Sequence, residues 1–364
     1  MNPRTWAWTA VLAVLSSVTP AAMADTLLVV RKSADALDFI DPGSGLTLAS
    51  VAVGYTPHEV AVAPDGRHAA VSNYGTGGKP GSTLSIVDLQ QPREVRRIDL
   101  SPHTRPHGVA WYATDRVAVT TEGSQRLLLV DPWRGVVVAQ IKTGQDTSHM
   151  VAVAPDRRRA FVANIGSGSL TAAPLEDSTS TQTAVVTVET GAGTEAIAVR
   201  PDGREVWLAA RAAGTLVRLD ARSLERIGQV DLPGVPIRLA FSRDGRSAFV
   251  TCAGSAEVVA FDASNGRELR RRNIDVPLAS GADDRPSASI ARGSPLPVGL
   301  LVAPDDRSVY VAATLADRIV QLDARTLEVV RTIEVAGEPD GLGITGVMPT
   351  AECHACENNE AAQR

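Results

Sequence analysis

Short runs in which apolar and polar residues alternate fill most of the chain, and helical periodicity is missing throughout. The first clear unit is the segment 57–73, in which two alternating runs flank the turn Pro64-Asp65-Gly66. This arrangement predicts a β-hairpin. Proline presets the first turn position and glycine accepts a positive φ, so the residues themselves specify the turn. The pattern therefore predicts a chain built from β-hairpins.

The start of this hairpin recurs at seven places along the chain. The second residues of the seven copies lie 42 to 61 residues apart. They are His58, His107, His149, Glu195, Ile237, Val298 and Asp340. A four-stranded propeller blade takes about 40 to 50 residues, so this period is typical of a β-propeller and too long for the shorter solenoid repeats. We expect one blade from each copy and number the blades one to seven in the order of these copies.

The two ends of the chain are expected to share the last blade. The seventh copy contains a single strand, within 341–345, after which the pattern stops, and three further strands precede the first copy, at 26–30, 36–40 and 46–53. Together they would close the ring and leave no long strand edge exposed. The sequence thus predicts an all-β fold over residues 25–345, a seven-bladed β-propeller of four-stranded antiparallel blades. The four strands of a blade are called A to D from the innermost strand outwards. The last blade joins N-terminal strands B to D to a C-terminal strand A.

Several copies carry recognisable repeat motifs. The segments 160–164 (AFVAN) and 308–312 (SVYVA), with the Val-Ala-Pro-Asp turns that precede them, resemble the YVTN family of β-propeller repeats, which includes the exported YncE-like proteins. The resemblance spans nearly all of residues 25–345 and implies the propeller fold. It implies no single activity, because propellers of this type serve as binding modules, scaffolds, enzyme subunits and lyases.

The first 24 residues have the features of a cleavable signal peptide. Arg4 provides a positive charge, the apolar stretch 6–18 is too short to span a bilayer, and Ala22-Met23-Ala24 is a small-residue cleavage site. We expect cleavage after Ala24 and export to the periplasm or beyond. No later segment is apolar enough for a membrane span, so none is expected after cleavage.

Residues 346–364 are predicted to form a polar tail. It contains Cys353-His354-Ala355-Cys356, but Glu357 stands where a c-type haem motif requires histidine, so haem attachment is not expected. These two cysteines could form a local disulfide or bind a soft metal. With three cysteines in all, the chain has no disulfide framework, and Cys252, at a strand end, is expected to be a small core residue.

The charge of the chain narrows the range of partners. The net charge is −5 and the isoelectric point is about 5.7. Nucleic-acid-binding proteins usually present a basic surface, so nucleic acid is not an expected partner. An unidentified protein or small-molecule ligand is expected instead, bound by a monomer.

The second residues of the seven copies are expected to surround one end of the central channel, because strand A is the innermost strand of a propeller blade. Around the ring they form a continuous arc, Asp340-His58-His107-His149-Glu195. Imidazoles flanked by carboxylates could bind a divalent metal such as Zn, Cu, Fe or Mn, or act as acid and base near neutral pH. Alternatively, each histidine hydrogen-bonds a neighbouring loop or lines a hydrated channel.

Strand A begins and strand B ends on the same face of an antiparallel blade, so the ends of the B strands should lie near this arc. Together with Arg238, at the start of one A strand, they provide six ligand-binding candidates: Asn73, Tyr74, Glu122, Asn164, Arg211 and Arg238. Glu122 could be a metal ligand, a general base or a partner of Arg211. The two arginines would suit an anionic ligand. The long segment 276–295 could cover the channel mouth as a lid or form a disordered surface loop.

Three functions are compatible with these patterns. The leading hypothesis is an exported propeller that binds a ligand or protein through the face that carries the histidines, since the repeats contain no complete catalytic set. The alternative is a metal-dependent enzyme, either a lactonase-like hydrolase or lyase or a redox protein, that uses Glu122 together with the His, Glu and Asp residues of the arc. The resemblance to YncE implies a third function, a DNA-associated periplasmic protein, which the acidic charge disfavours.

Overall fold

The computed structural model describes residues 25–175 and 185–350. The predicted signal peptide, the cysteine-containing part of the tail and nine residues of blade three lie outside this description. Within it, the strands form seven antiparallel sheets of four strands each, and the helices are short 3₁₀ turns. The prediction of a seven-bladed β-propeller is confirmed.

The described strands have the following bounds. The first fourteen are β1 (Thr26–Arg31), β2 (Ala36–Ile40), β3 (Thr47–Ala52), β4 (Pro57–Val62), β5 (His68–Gly75), β6 (Pro80–Asp88), β7 (Arg93–Asp99), β8 (Pro106–Ala113), β9 (Arg116–Thr121), β10 (Arg126–Asp131), β11 (Val136–Lys142), β12 (Ser148–Val153), β13 (Arg159–Asn164) and β14 (Ser169–Pro174). The second fourteen are β15 (Val186–Glu189), β16 (Thr194–Val199), β17 (Glu205–Ala210), β18 (Thr215–Asp220), β19 (Arg226–Asp231), β20 (Pro236–Phe241), β21 (Ser247–Cys252), β22 (Glu257–Asp262), β23 (Glu268–Asn273), β24 (Pro297–Val302), β25 (Ser308–Ala313), β26 (Arg318–Asp323), β27 (Val329–Glu334) and β28 (Pro339–Thr345). The 3₁₀ helices are Lys32–Ala34, Glu122–Ser124, Ala282–Asp284, Pro286–Ser289 and Thr314–Ala316.

The innermost strands of the seven blades follow one another around the ring in the order β4, β8, β12, β16, β20, β24 and β28, and β28 lies beside β4. The last blade is closed as predicted. Its C-terminal strand β28 pairs antiparallel with the N-terminal strand β1, with Thr345 opposite Thr26 and Gly343 opposite Leu28. Main-chain hydrogen bonds between the two ends of the chain therefore hold the ring together.

The hydrophobic core lies between neighbouring blades. Phe161 of blade three packs with Leu208 of blade four, and the other face of blade four buries Trp207 in one cluster with Phe261 of blade five. All four side chains are less than 2% exposed. Because residues alternate between the two faces of a strand, each blade can bury apolar side chains on both neighbours. This packing fixes the positions of the innermost strands around the channel.

The entry to each innermost strand has the same backbone geometry. The residue before the strand has a positive φ in all seven blades: Thr56, Arg105, Thr147, Gly193, Val235, Leu296 and Glu338. This conformation costs an L-residue about 1–2 kcal/mol relative to a right-handed one, and only blade four uses glycine here. The pairing register then shifts after the first residue of the strand, so the second residue has no pairing partner on the neighbouring strand. The seven second residues are therefore presented together at the channel mouth.

The segment 276–295 lies over the part of the mouth that belongs to blades five and six. Its residues Ala282 and Ala288 are buried in one cluster with Ile237 and Val298, the second residues of those blades. The segment therefore packs against the channel mouth, and its action as a lid stays a prediction.

Candidate ligand site at the channel mouth

Two sets of side chains surround the channel mouth. The inner tier consists of the second residues of the innermost strands: His58, His107, His149, Glu195, Ile237, Val298 and Asp340. The first residue of each innermost strand pairs with a residue near the end of the next strand of its blade. The outer tier consists of the residues that come directly after these partners in the chain: Lys32, Tyr74, Glu122, Ile165, Arg211, Ala253 and Thr314. Both tiers are mainly polar in blade seven and in blades one to four, which follow it around the ring. They are mainly apolar in blades five and six, where the segment 276–295 covers them.

The predicted arc of the inner tier is continuous in the structure. Asp340 Oδ2 lies 3.3 Å from His58 Nδ1, and the ring centroids of His58 and His107 are 5.1 Å apart. The rings of His107 and His149 are stacked, with centroids 3.6 Å apart and planes tilted by 32°. Gly108 permits this close approach, since a Cβ there would lie 2.7 Å from the carbonyl oxygen of His149. The arc ends at Glu195, whose Oε1 lies 3.5 Å from His149 Nε2.

His149 lies between two carboxylates. Its Nδ1 donates a 2.5 Å hydrogen bond to Glu122 Oε1, and its Nε2 faces Glu195, which in turn pairs with Arg211 at 2.8 Å. Burial lowers the pKa of His149, but hydrogen bonds and charges of the two carboxylates more than offset this and raise the pKa to about 9. Burial raises the pKa of Glu195, and the interaction with His149 outweighs it, so that pKa is lowered. At neutral pH His149 and Glu195 therefore carry opposite charges.

The other two histidines of the arc are neutral. Burial lowers the pKa of His58 to about 3, even though Asp340 acts in the opposite direction. Burial, together with the positive charges of its neighbours, lowers the pKa of His107 well below its usual value. The Nδ1 atom of His107 is buried and has no hydrogen-bond partner among the described residues. Neutral imidazoles retain a lone pair that can accept a hydrogen bond or bind a metal.

Lys32 and Tyr74 connect the two tiers. Lys32 Nζ lies 3.5 Å from Asp340 Oδ2 and donates a hydrogen bond to Ser287 Oγ, 3.2 Å away, on the covering segment. The Tyr74 hydroxyl donates to Glu122 Oε2 at 2.6 Å and accepts from Arg105 Nη1 at 3.1 Å. Burial and the nearby Glu122 carboxylate raise the pKa of Tyr74 to about 12, so the phenol remains protonated. Its ring contacts those of both His58 and His107.

A buried ion pair spans the channel below the inner tier. Arg238 Nη2 donates a short hydrogen bond to Glu59 Oε1, and both side chains are buried. Both are third residues of their innermost strands. Burial raises the pKa of Glu59, and the charge of Arg238 opposes that rise. Since β4 and β20 lie on nearly opposite sides of the ring, this pair crosses the channel and forms a floor under the mouth.

A cavity of about 460 Å³ opens at the mouth beside the arc. Its wall includes Lys32, Tyr55, His58, Tyr74, Ser287 and Glu338. Two of the arc's neighbours, Lys32 and Tyr74, therefore face both the cavity and the buried polar network. The covering segment contributes to the wall through Pro286 and Ser287.

Two of the six ligand-binding candidates lie away from this cavity, inside their own blades. Asn73 donates hydrogen bonds from Nδ2 to Thr83 Oγ1 and Ser85 Oγ, each at 2.9 Å. Asn164 donates to Thr171 Oγ1 at 3.1 Å and accepts from Ser148 Oγ at 3.0 Å. The reason is strand alternation, because neighbours on a strand face opposite sides. Tyr74 faces the mouth, so Asn73 faces the blade.

The other candidates lie around the mouth. Tyr74 and Glu122 are joined to the arc, and Arg211 is paired with its last member, Glu195. Arg238 belongs to the channel floor. Sequence reasoning did not include Lys32 and Glu59, although a signal existed for both. Lys32 occupies in blade seven the position of Tyr74 in blade one, and Glu59 occupies the repeat position of Arg238.

Comparisons with known proteins agree with this fold. Residues 111–281 match the YncE-like beta-propeller family. Protein NirF of Pseudomonas aeruginosa is 27% identical over 191 residues, which is 49% of this chain and 46% of NirF. The chain therefore matches less than half of that relative's length.

Solved structures with the same architecture include the periplasmic gluconolactonase PpgL of Pseudomonas aeruginosa. Its TM-score is 0.70 at 18% identity, covering 89% of this chain and 100% of PpgL. The dihydro-heme d1 dehydrogenase NirN in complex with DHE has a TM-score of 0.61 at 19% identity, covering 91% of this chain and 78% of that protein. At these identities the likeness concerns the fold alone. The chain is therefore a seven-bladed β-propeller that resembles the YncE-like family over residues 111–281.

Proposed function

We propose that this protein is an exported, monomeric binding protein that takes a small polar ligand into the cavity at the channel mouth. The observation that carries the proposal is the 460 Å³ cavity itself, whose wall combines aromatic rings with polar and charged side chains. Volumes of about 300–1,000 Å³ are typical of sites that bind small molecules.

The residues around the cavity define the chemistry of the ligand. Tyr55 and Tyr74 offer aromatic faces, and the neutral ring of His58 offers a hydrogen-bonding edge. Lys32 brings a cation and Glu338 a carboxylate to the same wall. A compact ring that carries several hydroxyl or carbonyl groups would satisfy both kinds of surface.

Export is supported by the pattern of residues 1–24, and the fold neighbour PpgL is a periplasmic protein. Within residues 25–175 and 185–350, the structure contains no helix with the length and apolarity needed to cross a bilayer. Fractionation of cells that express the full chain tests the proposal. We expect a periplasmic protein whose N-terminal residue is Asp25, and a cytoplasmic one when residues 2–24 are deleted. Retention of residues 1–24 in the mature protein would contradict it.

Two adjacent glycines provide a matched test of ligand binding. Gly77 lines the cavity and Gly78 does not, while a Cβ at either position would meet no atom within 4 Å. Gly77→Phe should therefore fill the cavity without disturbing the fold, and Gly78→Phe is its control. The assay is the thermal unfolding of each protein in a panel of small cyclic polyols, lactones and their acids.

The expected result is a panel member that raises the melting temperature of the native protein and of Gly78→Phe but not of Gly77→Phe. A ligand that stabilises all three proteins equally would show that binding occurs elsewhere. If no member of the panel stabilised the native protein, a ligand of this chemistry would be excluded.

A second candidate is a metal-dependent hydrolase or lyase that acts on a ligand in the same cavity. The observation that favours it is the grouping of His107, Glu122 and His149 behind the cavity wall. Acid release from lactones, measured with a pH indicator with and without added Zn²⁺ or Mn²⁺, tests this candidate. A metal-dependent rate above the spontaneous one would support it, and identical rates would exclude it for these substrates.

A further inference from the structure

Three side chains from blades two and three converge behind Tyr74. One nitrogen each of His107 and His149 and one carboxylate oxygen of Glu122 lie within 4.8 Å of one another. We propose that these three residues bind a divalent transition metal, with Zn²⁺ as the best fit to two imidazoles and one carboxylate. Within residues 25–175 and 185–350 this is the grouping of His, Cys, Asp or Glu whose geometry suits a metal ion.

The buried imidazole of His107 is the second observation that supports a ligand here. The residue is 4% exposed, and its Nδ1 makes no hydrogen bond within the described part of the chain. A buried polar atom without a partner costs free energy, about 1–3 kcal/mol for an ordinary donor or acceptor. A metal ion would give this nitrogen the partner that the protein itself does not supply.

Metal binding requires a small separation of Glu122 and His149 and a rotation of the His107 ring. His149 Nδ1 and Glu122 Oε1 are 2.5 Å apart, and a tetrahedral ion bound to both at about 2.0–2.2 Å would separate them to roughly 3.4 Å. The metal would replace the proton that these two atoms now share, and the proton would leave to solvent. The ring of His107 is stacked on that of His149, so its lone pair converges only after a turn about χ2. Its lack of a hydrogen bond at Nδ1 removes one obstacle to that turn.

The neighbouring residues are arranged as outer supports of such a site. Tyr74 donates a hydrogen bond to the second oxygen of Glu122, and Glu195 faces the second nitrogen of His149. Partners of this kind orient metal ligands and tune their basicity. Glu195 is itself paired with Arg211, as Asp340 is with Lys32, so these two carboxylates are already neutralised. The proposal thus keeps His107 and His149 of the expected ligand set, adds Glu122, and leaves out His58, Glu195 and Asp340.

Calorimetric titration with Zn²⁺ alone tests this inference without any cavity ligand. The protein is the untagged full chain stripped of metal, with Cys353→Ser and Cys356→Ser, because the tail cysteines could bind zinc themselves. We expect one zinc ion per chain. His107→Ala should weaken binding by at least the roughly 10–100-fold that loss of an outer-shell partner costs, and Glu122→Gln provides a second variant if His107→Ala fails to fold.

His68→Ala is the matched control, because His68 lies in the loop-side hairpin of blade one and pairs with Asp65. It should leave zinc affinity unchanged. Absence of zinc binding, or equal affinity in the His107→Ala, Glu122→Gln and His68→Ala proteins, would overturn the inference. Because the titration contains no cavity ligand and the Gly77→Phe test contains no metal, either proposal can fail without the other.

Discussion

Glu59 and Arg238 form a buried ion pair across the central channel, although their strands β4 and β20 are three blades apart in the ring. Both are charged residues at the third position of an innermost strand, where glycine or an apolar residue stands in the other blades. Because both residues directly follow members of the inner tier, the pair lies below that tier and joins blades one and five across the ring.

This pair predicts a large effect of removing one partner. Arg238→Met should lower the free energy of unfolding by about 3–5 kcal/mol, because the Glu59 carboxylate would be left buried without a counter-charge. The double variant Glu59→Leu, Arg238→Met should recover most of that loss, since both charges are then gone. Guanidinium-induced unfolding measures the three free energies. Arg246→Met is the control, because Arg246 pairs with Asp244 at the exposed surface, and its effect should stay within about 0.5 kcal/mol. An equal effect of Arg238→Met and Arg246→Met would contradict the buried floor.

The position of Asn164 inside blade three predicts a role in stability. Asn164→Ala removes hydrogen bonds with Ser148, Ser169 and Thr171, so we expect unfolding to become easier by about 1–3 kcal/mol. Ligand stabilisation and zinc affinity should be unchanged. Asn265→Ala, at an exposed turn, is the control and should have little effect. If Asn164→Ala instead lost ligand binding at unchanged stability, Asn164 would be a ligand-binding residue.

A bidentate ion pair is one of the contacts that hold the segment over the mouth. Arg285 donates hydrogen bonds of 2.8 and 2.7 Å to the two carboxylate oxygens of Asp317. Arg285→Ala should therefore speed amide hydrogen exchange several-fold in the 3₁₀ helices Ala282–Asp284 and Pro286–Ser289, while the blades remain protected. Mass spectrometry of deuterated peptides measures this. Arg318→Ala, which breaks a surface pair with Glu334, should leave the segment protected, and faster exchange there would contradict a specific role of Arg285.

Cys252 is predicted to be chemically inert. Burial raises the pKa of its thiol to about 12, and the side chain is fully buried in the cluster between blades four and five. In a chain with Cys353→Ser and Cys356→Ser, a disulfide reagent at pH 8 should release no thiolate signal from the native protein and one equivalent after denaturation. Rapid reaction of the native protein would mean that this strand end is open to solvent.

Much of this architecture could be predicted because it depends on local patterns. The alternating runs and their turns, with Pro-Asp-Gly at 64–66 and 201–203, predict the hairpins, and counting copies places His58, His107 and His149 on adjacent blades. The split of the last blade follows from the missing strands of the seventh copy. The arc from Asp340 to Glu195 could thus be inferred before any distance was known.

The remaining features depend on contacts between distant parts of the chain. Glu59 and Arg238 are 179 residues apart, and only the closed ring brings them together. The orientation of Asn73 depends on which face of β5 turns towards its own blade, and this cannot be read from the residue type. Lys32 reaches the mouth because it directly follows β1, which belongs to the last blade. Its position can be predicted only if the N-terminal strands are aligned with the corresponding strands of the other blades.

The central claim is that ligands bind at the channel mouth, and the imidazole signals of the histidines test it most directly. Correlation spectra of ¹⁵N-histidine-labelled protein, assigned with single His→Gln variants, would be recorded with the panel member that stabilises the protein most. The account predicts shifts for His58, which lines the cavity, and none for His68 on the opposite face. Shifts at His68 with an unchanged His58 signal would contradict it.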